Sequence, residues 1–477
     1  MTWRRREVLG GLGIASAHAL WFAFGCGAPV RPPRRPAELV SRDVRGWLHE
    51  AVALLHGGGV TGHALAVSRK HTVAALDVLG PGVAHQRCAG VVLTARDPRG
   101  RREQVTSDLT REGVLEAARA LVGKTPPALG SGLDFGPPPA PPTGPDPDEV
   151  TDAMLIESLA RLAKRESGRS SRIVYASNLV EIDDARVWSV AANSDREQRL
   201  VRVRRGVTRV AWNGARPIVS ELMRAWSGGV DAQTFSDEEL AHARDVALAL
   251  VTPGGFNDGE RALVLAPELV ASIADAAARS LYTTRAQRRP EVAARLATGG
   301  MVAASSFSLI DDPTAAQAYG GFHFDDEGTS AAAKPIIERG ALVARIAHAR
   351  RPGHTGSLEI MPAHLRVAAG TASELVLDDG YLLEGDRGVL IDPSSDRIVV
   401  AVQRALEVSH GQRTGRVYAD VELVGSLGAI LHDTGEATRA TRTIGLRDER
   451  EGLPRWRSIE APWLRAKGLV RAQRRLA

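Results

Sequence analysis

The sequence predicts an α+β protein, with a mixed α/β N-terminal region followed by a large β-rich C-terminal domain. Three observations carry this. Apolar residues at three- and four-residue spacing alternate with short apolar runs as far as residue 252. Beyond Gly300 about 160 residues read as strands and turns, with no fixed-period repeat. A proline-rich stretch, G-P-P-P-A-P-P-T-G-P-D-P at residues 136–147, interrupts the chain where neither helix nor sheet ladder can form. The 477 residues are 44% hydrophobic and 25% charged. Those are globular values, which exclude a wholly disordered, collagen-like or disulfide-scaffold chain.

Residues 1–26 read as an export signal. Arg5 and Arg6 open R-R-E-V-L, which fits the twin-arginine pattern. The apolar run from Leu12 to Phe24 is too short to span a bilayer and suits a signal core. Cys26 closes A-F-G-C, a lipobox-like end with Ala23 where Leu is usual and Phe24 where a small residue is usual. Cys26 is therefore the candidate lipidation site. The expected location is exported, either periplasmic or as a membrane-anchored lipoprotein of a bacterium. Residues 27–39, with Pro29, Pro32, Pro33 and Pro36, read as a stiff tether. Removing or lipidating Cys26 leaves only Cys88, which rules out an intramolecular disulfide. Beside Ala89 and Gly90, Cys88 reads as a small buried hydrophobe.

Residues 40–136 read as an α/β domain. Val44, Trp47, Leu48, Ala51, Val52 and Leu55 follow helical spacing. Ala64–Val67, Val73–Val78 and Gly90–Thr94 read as short strands, and Leu115–Val122 as a second helix. Residues 137–147 form a linker. Residues 148–252 read as a middle α/β region with a helix over Asp148–Lys164 and strands at Ile173–Ser177, Val187–Ala192 and Leu200–Val203. Ser236 followed by Asp237, Glu238 and Glu239 marks a helix start running towards Leu250. Residues 253–470 form the last domain, beginning with a strand at Arg261–Leu265 and a helix at Glu268–Leu281.

The net charge of +5 comes with 56 Arg and only five Lys. Residues 1–25 carry +2 and residues 447–477 carry +5, which leaves residues 26–446 at −2. The isoelectric point near 9.5 therefore reflects two ends and an arginine bias, and no nucleic-acid partner is expected. The tail Arg465–Arg475 reads as a solvated terminus, with anionic lipid headgroups as the competing partner.

The most specific motifs lie in the last domain. S-L-I-D-D-P at 308–313 precedes G-G-F-H-F-D-D-E-G at 320–328 and the strand I-I-E-R-G-A-L-V at 336–343. M-P-A-H-L-R-V-A-A-G at 361–370, L-L-E-G-D-R-G-V-L-I at 382–391, G-S-L-G-A-I-L-H-D-T at 425–434, T-I-G at 443–445 and A-P-W-L-R at 461–465 follow in order. This set resembles the TldD/PmbA family, also called the modulator-of-gyrase family or peptidase family U62. The resemblance covers about Leu263–Val470 and is faint over Asp43–Trp226. Its fingerprint falls on Asp311, Asp312, Pro313, Phe324, Asp325, Asp326, Glu327 and Gly328.

The resemblance implies paired homologous subunits, one a zinc metallopeptidase and the other without zinc. The zinc subunit carries H-E-x-x-x-H on the helix after the Leu263-type strand, and a Cys near the C-terminus. Here the helix at 265–281 has no His and the closing segment 452–462 has no Cys. Glu268 and Asp275 cannot replace two imidazoles, and Asp275 is expected on a solvated helix face. His49-Glu50-Ala51 imitates the motif, with His56 seven residues on, but it lies in the first helix. No cofactor is expected in this chain, with zinc only in a catalytic partner.

His323, Asp325, Asp326 and Glu327 form the densest ionisable cluster. It reads as a turn whose carboxylates hold backbone N–H groups, with Gly328 supplying an unusual φ. The competing reading makes His323, Asp325 and Glu327 a substrate or general-base site. The expected function is a PmbA-like, zinc-less subunit that binds peptides or joins a zinc-bearing relative as a homo- or heterodimer. The alternatives are a peptidase with a non-standard site, or a non-catalytic exported binding lipoprotein. Contact with a membrane is expected only through a lipid anchor.

Overall fold

The computed structural model describes residues 43–98, 100–122, 147–165, 170, 172–251, 253–284, 286–347, 361–450 and 453–473. The export signal with Arg5, Arg6 and Cys26, the tether, and the linker up to residue 146 lie outside the described residues. By residue the protein is 22% helix and 50% strand, an α+β composition in which strand dominates.

The first half runs α1 (Val44–Gly57), β1 (Thr61–Asp77), β2 (Gly80–Asp97), β3 (Gly100–Thr106), α2 (Arg111–Val122), α3 (Asp152–Arg165), β4 (Ile173–Ala191), β5 (Ser194–Trp212), β6 (Pro217–Ser227) and α4 (Asp237–Ala249). Its strands form one antiparallel sheet in the order β3-β2-β1-β4-β5-β6. Strands from both sides of the proline-rich segment thus share a sheet. They are also longer than expected. Ala64–Val67 and residues 73–77 are parts of one 17-residue strand, and Ile173–Ser177 and residues 187–191 are parts of one 19-residue strand; Val78 and Ala192 lie in the turns that follow.

Strand alternation gives this sheet two faces. Ala64 and Ala66 on β1, with Val91, Leu93 and Ala95 on β2, pack under Leu48, Val52 and Leu55 of α1 and Val114, Ala118 and Leu121 of α2. Further along, Ala74, Val180, Ile182, Val201 and Val203 pack under Leu155 and Leu159 of α3. Helices therefore cover one face. The opposite face carries Leu65, Val67, Ala185, Val187 and Leu200 at one end, against Phe322 and Phe324. Ser236 closes a capping box with Glu239 at the start of α4.

The second half runs β7 (Gly259–Leu265), α5 (Pro267–Ser280), α6 (Pro290–Arg295), β8 (Leu309–Asp311), β9 (Lys334–Glu338), β10 (Ala341–Leu342), β11 (His364–Val367), β12 (Gly380–Asp392), β13 (Arg397–Ser409), β14 (Gln412–Ser426), α7 (Leu427–His432), β15 (Ala437–Arg450) and β16 (Leu453–Ala472). Ladders join β7-β12-β13-β14-β16 in turn, and β16 pairs back with β7. Five strands thus form a closed circuit, which leaves no free edge there. Leu263, Leu265, Leu383 and Val470 from this circuit share a core with Leu269, Ile273 and Ala277 of α5.

The 20-residue β16 has two parts. Its later residues close the circuit, and its earlier residues pair with β15 and, in parallel, with β11. The basic tail is consequently a barrel strand as far as Ala472, not a solvated end. Lys467 pairs with Glu260 at 3.3 Å and Arg471 with Glu422 at 2.7 Å. Among the described residues no helix is long and apolar enough to cross a membrane.

Candidate functional site

Helix α5 starts with Pro267 after the extended residue Ala266 and buries most of its length. Asp275 on it is 3% exposed, so it does not lie on a solvated face. Its Oδ2 accepts from Arg279 Nε at 2.9 Å, and its Oδ1 accepts from Arg457 on β16. The alanines around it brought α5 close enough to β16 for a cross-element ion pair. Glu268 Oε1 accepts from the Gly385 N–H at 2.9 Å, and Arg442 stands 3.7 Å from Oε2.

Zinc asks for imidazole, thiolate or open carboxylate donors in a tetrahedral set. This helix offers one carboxylate sealed between two guanidinium groups and another already bound to backbone. The residues present do not fit zinc. Among the described residues no group of three or more His, Cys, Asp or Glu is arranged around one point. His49 is instead bonded to Asp195 at 2.7 Å beside Arg45, and His56 is exposed. Cys88 is exposed too, contrary to the buried position expected from its neighbours. The ladder to β3 begins only at Val91, so β2 is an edge where Cys88 sits.

The fingerprint residues come together at the junction of the two halves. Asp311 Oδ1 accepts from the N–H groups of Ala363 and His364 at 3.0 and 3.1 Å. Asp312 accepts from Thr314 and faces Arg366 at 3.2 Å. The Pro313 carbonyl accepts from the Phe322 N–H. Asp325 Oδ1 accepts from the N–H groups of Glu327 and Thr329, and Gly328 has φ +71°. Glu327 pairs with Arg101 at 2.7 Å. Gln198 on β5 clips the loop to the sheet, accepting from the His323 N–H and donating to the Phe324 carbonyl. The structure places His323 and Asp326 at the surface. No hydrogen bond links the His323 ring to Asp325 or Glu327 among the described residues, so the three do not form a proton relay.

A second cluster, which the sequence reading missed, lies beside this loop. On the face turned to the second half, the apolar end of the sheet gives way to Arg69 and His71 of β1, Glu181 and Asp183 of β4, and Arg202 and Arg204 of β5. Asp183 stands directly across from His71 and Arg202, and Glu181 across from Arg204. The end of the β15–β16 hairpin covers them, with Arg447 against Glu181 at 2.7 Å and Trp456 beneath the guanidinium groups of Arg69 and Arg202 at 4.3 and 4.7 Å.

The two carboxylates meet opposite environments. Burial pushes Glu181 up, but its bond with His71 and the charges of Arg204 and Arg447 outweigh that and hold it at about 2. Burial pushes Asp183 up as well, and there Arg69 at 3.3 Å and Arg202 at 3.8 Å do not offset it. Neither oxygen of Asp183 has a hydrogen-bond partner, although the residue is 2% exposed. The signal that could have found this cluster is its alternation, Arg69-x-His71, Glu181-x-Asp183 and Arg202-x-Arg204. Most of these polar residues fall between the apolar runs that mark the expected strands.

Residues 258–472 match the family described as PmbA/TldA metallopeptidase C-terminal domain. That stretch carries the TldD/PmbA-family C-terminal domain. Three solved structures share the fold of this protein. One is a protein from Thermotoga maritima titled as a modulator of a DNA gyrase, with TM-score 0.72, 14% identity, and coverage of 89% of this chain and 99% of that one. Another, from Bacteroides thetaiotaomicron and titled as a modulator of DNA gyrase, gives 0.69, 13%, 91% and 99%. TldE from Thermococcus kodakarensis gives 0.66, 14%, 89% and 100%. No curated protein matches the sequence.

Proposed function

We propose that this TldD/PmbA-family chain is a zinc-less subunit that binds peptides or partners a zinc-bearing relative in proteolysis. The observation that carries the reading is Asp275. The helix after β7 presents this carboxylate, closed off by Arg457 and Arg279, and presents no imidazole. A water activated by metal needs an open coordination position, and this helix provides none. The fingerprint turn does not replace it, because Asp325 is occupied by backbone N–H groups and Glu327 by Arg101. In this reading the chain supplies wall and binding surface, and hydrolysis is performed by the homologous partner. The R-R-E-V-L start carries it across a bacterial membrane, and Cys26 is the attachment point for lipid.

The test is to purify the chain alone, measure its zinc, and assay it on a mixed peptide pool with and without a zinc-bearing relative. Expected are zinc well below one equivalent, no hydrolysis by the chain alone, and a stable complex with the relative. One equivalent of zinc together with hydrolysis by the single chain overturns the proposal.

A further inference from the structure

We propose that Arg69, held over the Trp456 ring at the junction of the two halves, is the anchor of a binding site for a single carboxylate. The inference rests on the peptide-binding reading above and names the part of the peptide that is held. Three observations converge on it. The Arg69 guanidinium has no hydrogen-bond acceptor among the described residues, and its Nε is buried. Its Cζ lies over the Trp456 ring, 4.3 Å from the centroid, and its Nε stands 3.3 Å from Asp183. Its side chain keeps 18% of its surface exposed, whereas that of Arg202 beside it keeps 7%.

An arginine fork that is stacked and oriented in advance loses little freedom when it takes a planar anion with two parallel N–H···O bonds. Arg202 is already committed to the carbonyls of Tyr319 and Gly321, which makes it wall, not anchor. Asp183 is nine-tenths and more buried, makes no hydrogen bond, and points its charge at the Nε side of Arg69. That is the arrangement of a residue that orients the anchor from behind.

Charge selects the ligand. Arg69, Arg202 and Arg455 surround the place, and Asp183 from within and Asp325 and Asp326 from the rim oppose them. With three carboxylates already facing the three guanidinium groups, a phosphate dianion meets more repulsion than a monoanion does. On a peptide the monoanion is the terminal carboxylate or the side chain of Asp or Glu.

Calorimetric titration of the full chain decides the matter with three N-acetylated tripeptides: one with a free C-terminus and no acidic side chain, its C-terminal amide, and an amide containing one Glu. The free-carboxylate peptide should bind at least tenfold more tightly than its amide. The Glu-containing amide separates the two sources: affinity like the free acid means any carboxylate is taken, and affinity like the plain amide means only the terminus is. Arg69→Met should erase the tenfold preference, and Asp183→Asn should reduce it several-fold. Should Arg69→Met not fold, Arg69→Lys keeps the charge, loses the fork, and should also lose most of the preference. A wild-type chain that does not prefer carboxylates, or an Arg69 variant that keeps the preference, overturns the site. The zinc-less reading survives that result, since it is tested by metal content and by complex formation.

Discussion

Asp311 accepts two backbone N–H groups, yet burial pushes its carboxyl up to about 6. In the unfolded chain the same carboxyl ionises near 3.8. Between these values the folded state holds the proton that the unfolded state has released, so stability falls as pH rises from about 4 to about 6. Asp311→Asn keeps an oxygen for the Ala363 and His364 amides and removes the titration. Denaturant midpoints should show it more stable than wild type by about 2 kcal/mol at pH 7, with the difference vanishing near pH 4. Equal stabilities at both pH values would count against the burial argument. Residues such as Asp311 were legible in the sequence as a motif but not as a burial, because D-D-P names a turn without naming what covers it. The reverse held for Asp275, where the alanines that suggested exposure were what admitted Arg457.

The hairpin of β15 and β16 shows how one element is fitted to another. Gly445 on β15 faces β6, and a Cβ built there overlaps the Ala225 methyl and stands 3.2 Å from the Tyr319 ring. Ala225 and Tyr319 are both in the core, at 2% and 1% exposure, so neither can yield cheaply. Gly445→Ala is expected to destabilise by about 1–3 kcal/mol, the usual cost of overpacking. Thermal melts of this variant beside Gly411→Ala at the β13–β14 turn, where nothing lies within 4 Å of the new methyl but φ is +73°, separate crowding from backbone strain. Among the elements, β7, α5 and the helix start at Ser236 stand where their spacing and capping residues put them. Strands β1 and β4 do not, because Ser68–Thr72 and Asn178–Arg186 interrupt the apolar pattern. In a strand buried on both faces, one against helices and one against a charged partner, polar residues do not end the strand.

Across the whole molecule, the charged face of the six-stranded sheet ties the two halves. Glu181 holds His71, Arg204 and Arg447 together, and Arg447 is the member that comes from the other half. Its folded value of about 2 lies below the ordinary 4.5, so its contribution is complete above about 4.5 and is lost as pH falls towards 2. Glu181→Gln leaves the half-buried guanidinium groups of Arg204 and Arg447 short of their counter-charge and should cost roughly 2–3 kcal/mol, less than a fully buried pair. Tryptophan fluorescence and far-ultraviolet dichroism should give one coincident unfolding transition for wild type and two separated transitions for this variant. Coincident transitions in the variant would mean that the halves are joined by something else. At this scale the sequence disclosed the α+β class. The single sheet across residues 61–227 was hidden, since pairing between distant segments leaves no local pattern.

The double membership of β16 also sets an order of events in time. Gly259 on β7 meets its ladder partner Val470 about 200 residues further along the chain, so β7 emerges from the ribosome long before the strand that closes its circuit exists. Until then β7 and β14 present open edges of the kind that pair with other chains, and closing so long a loop is slow. The nascent protein therefore has a period of vulnerability that ends only when β16 arrives. Its yield in a cell should depend on whatever shields those two edges during that wait.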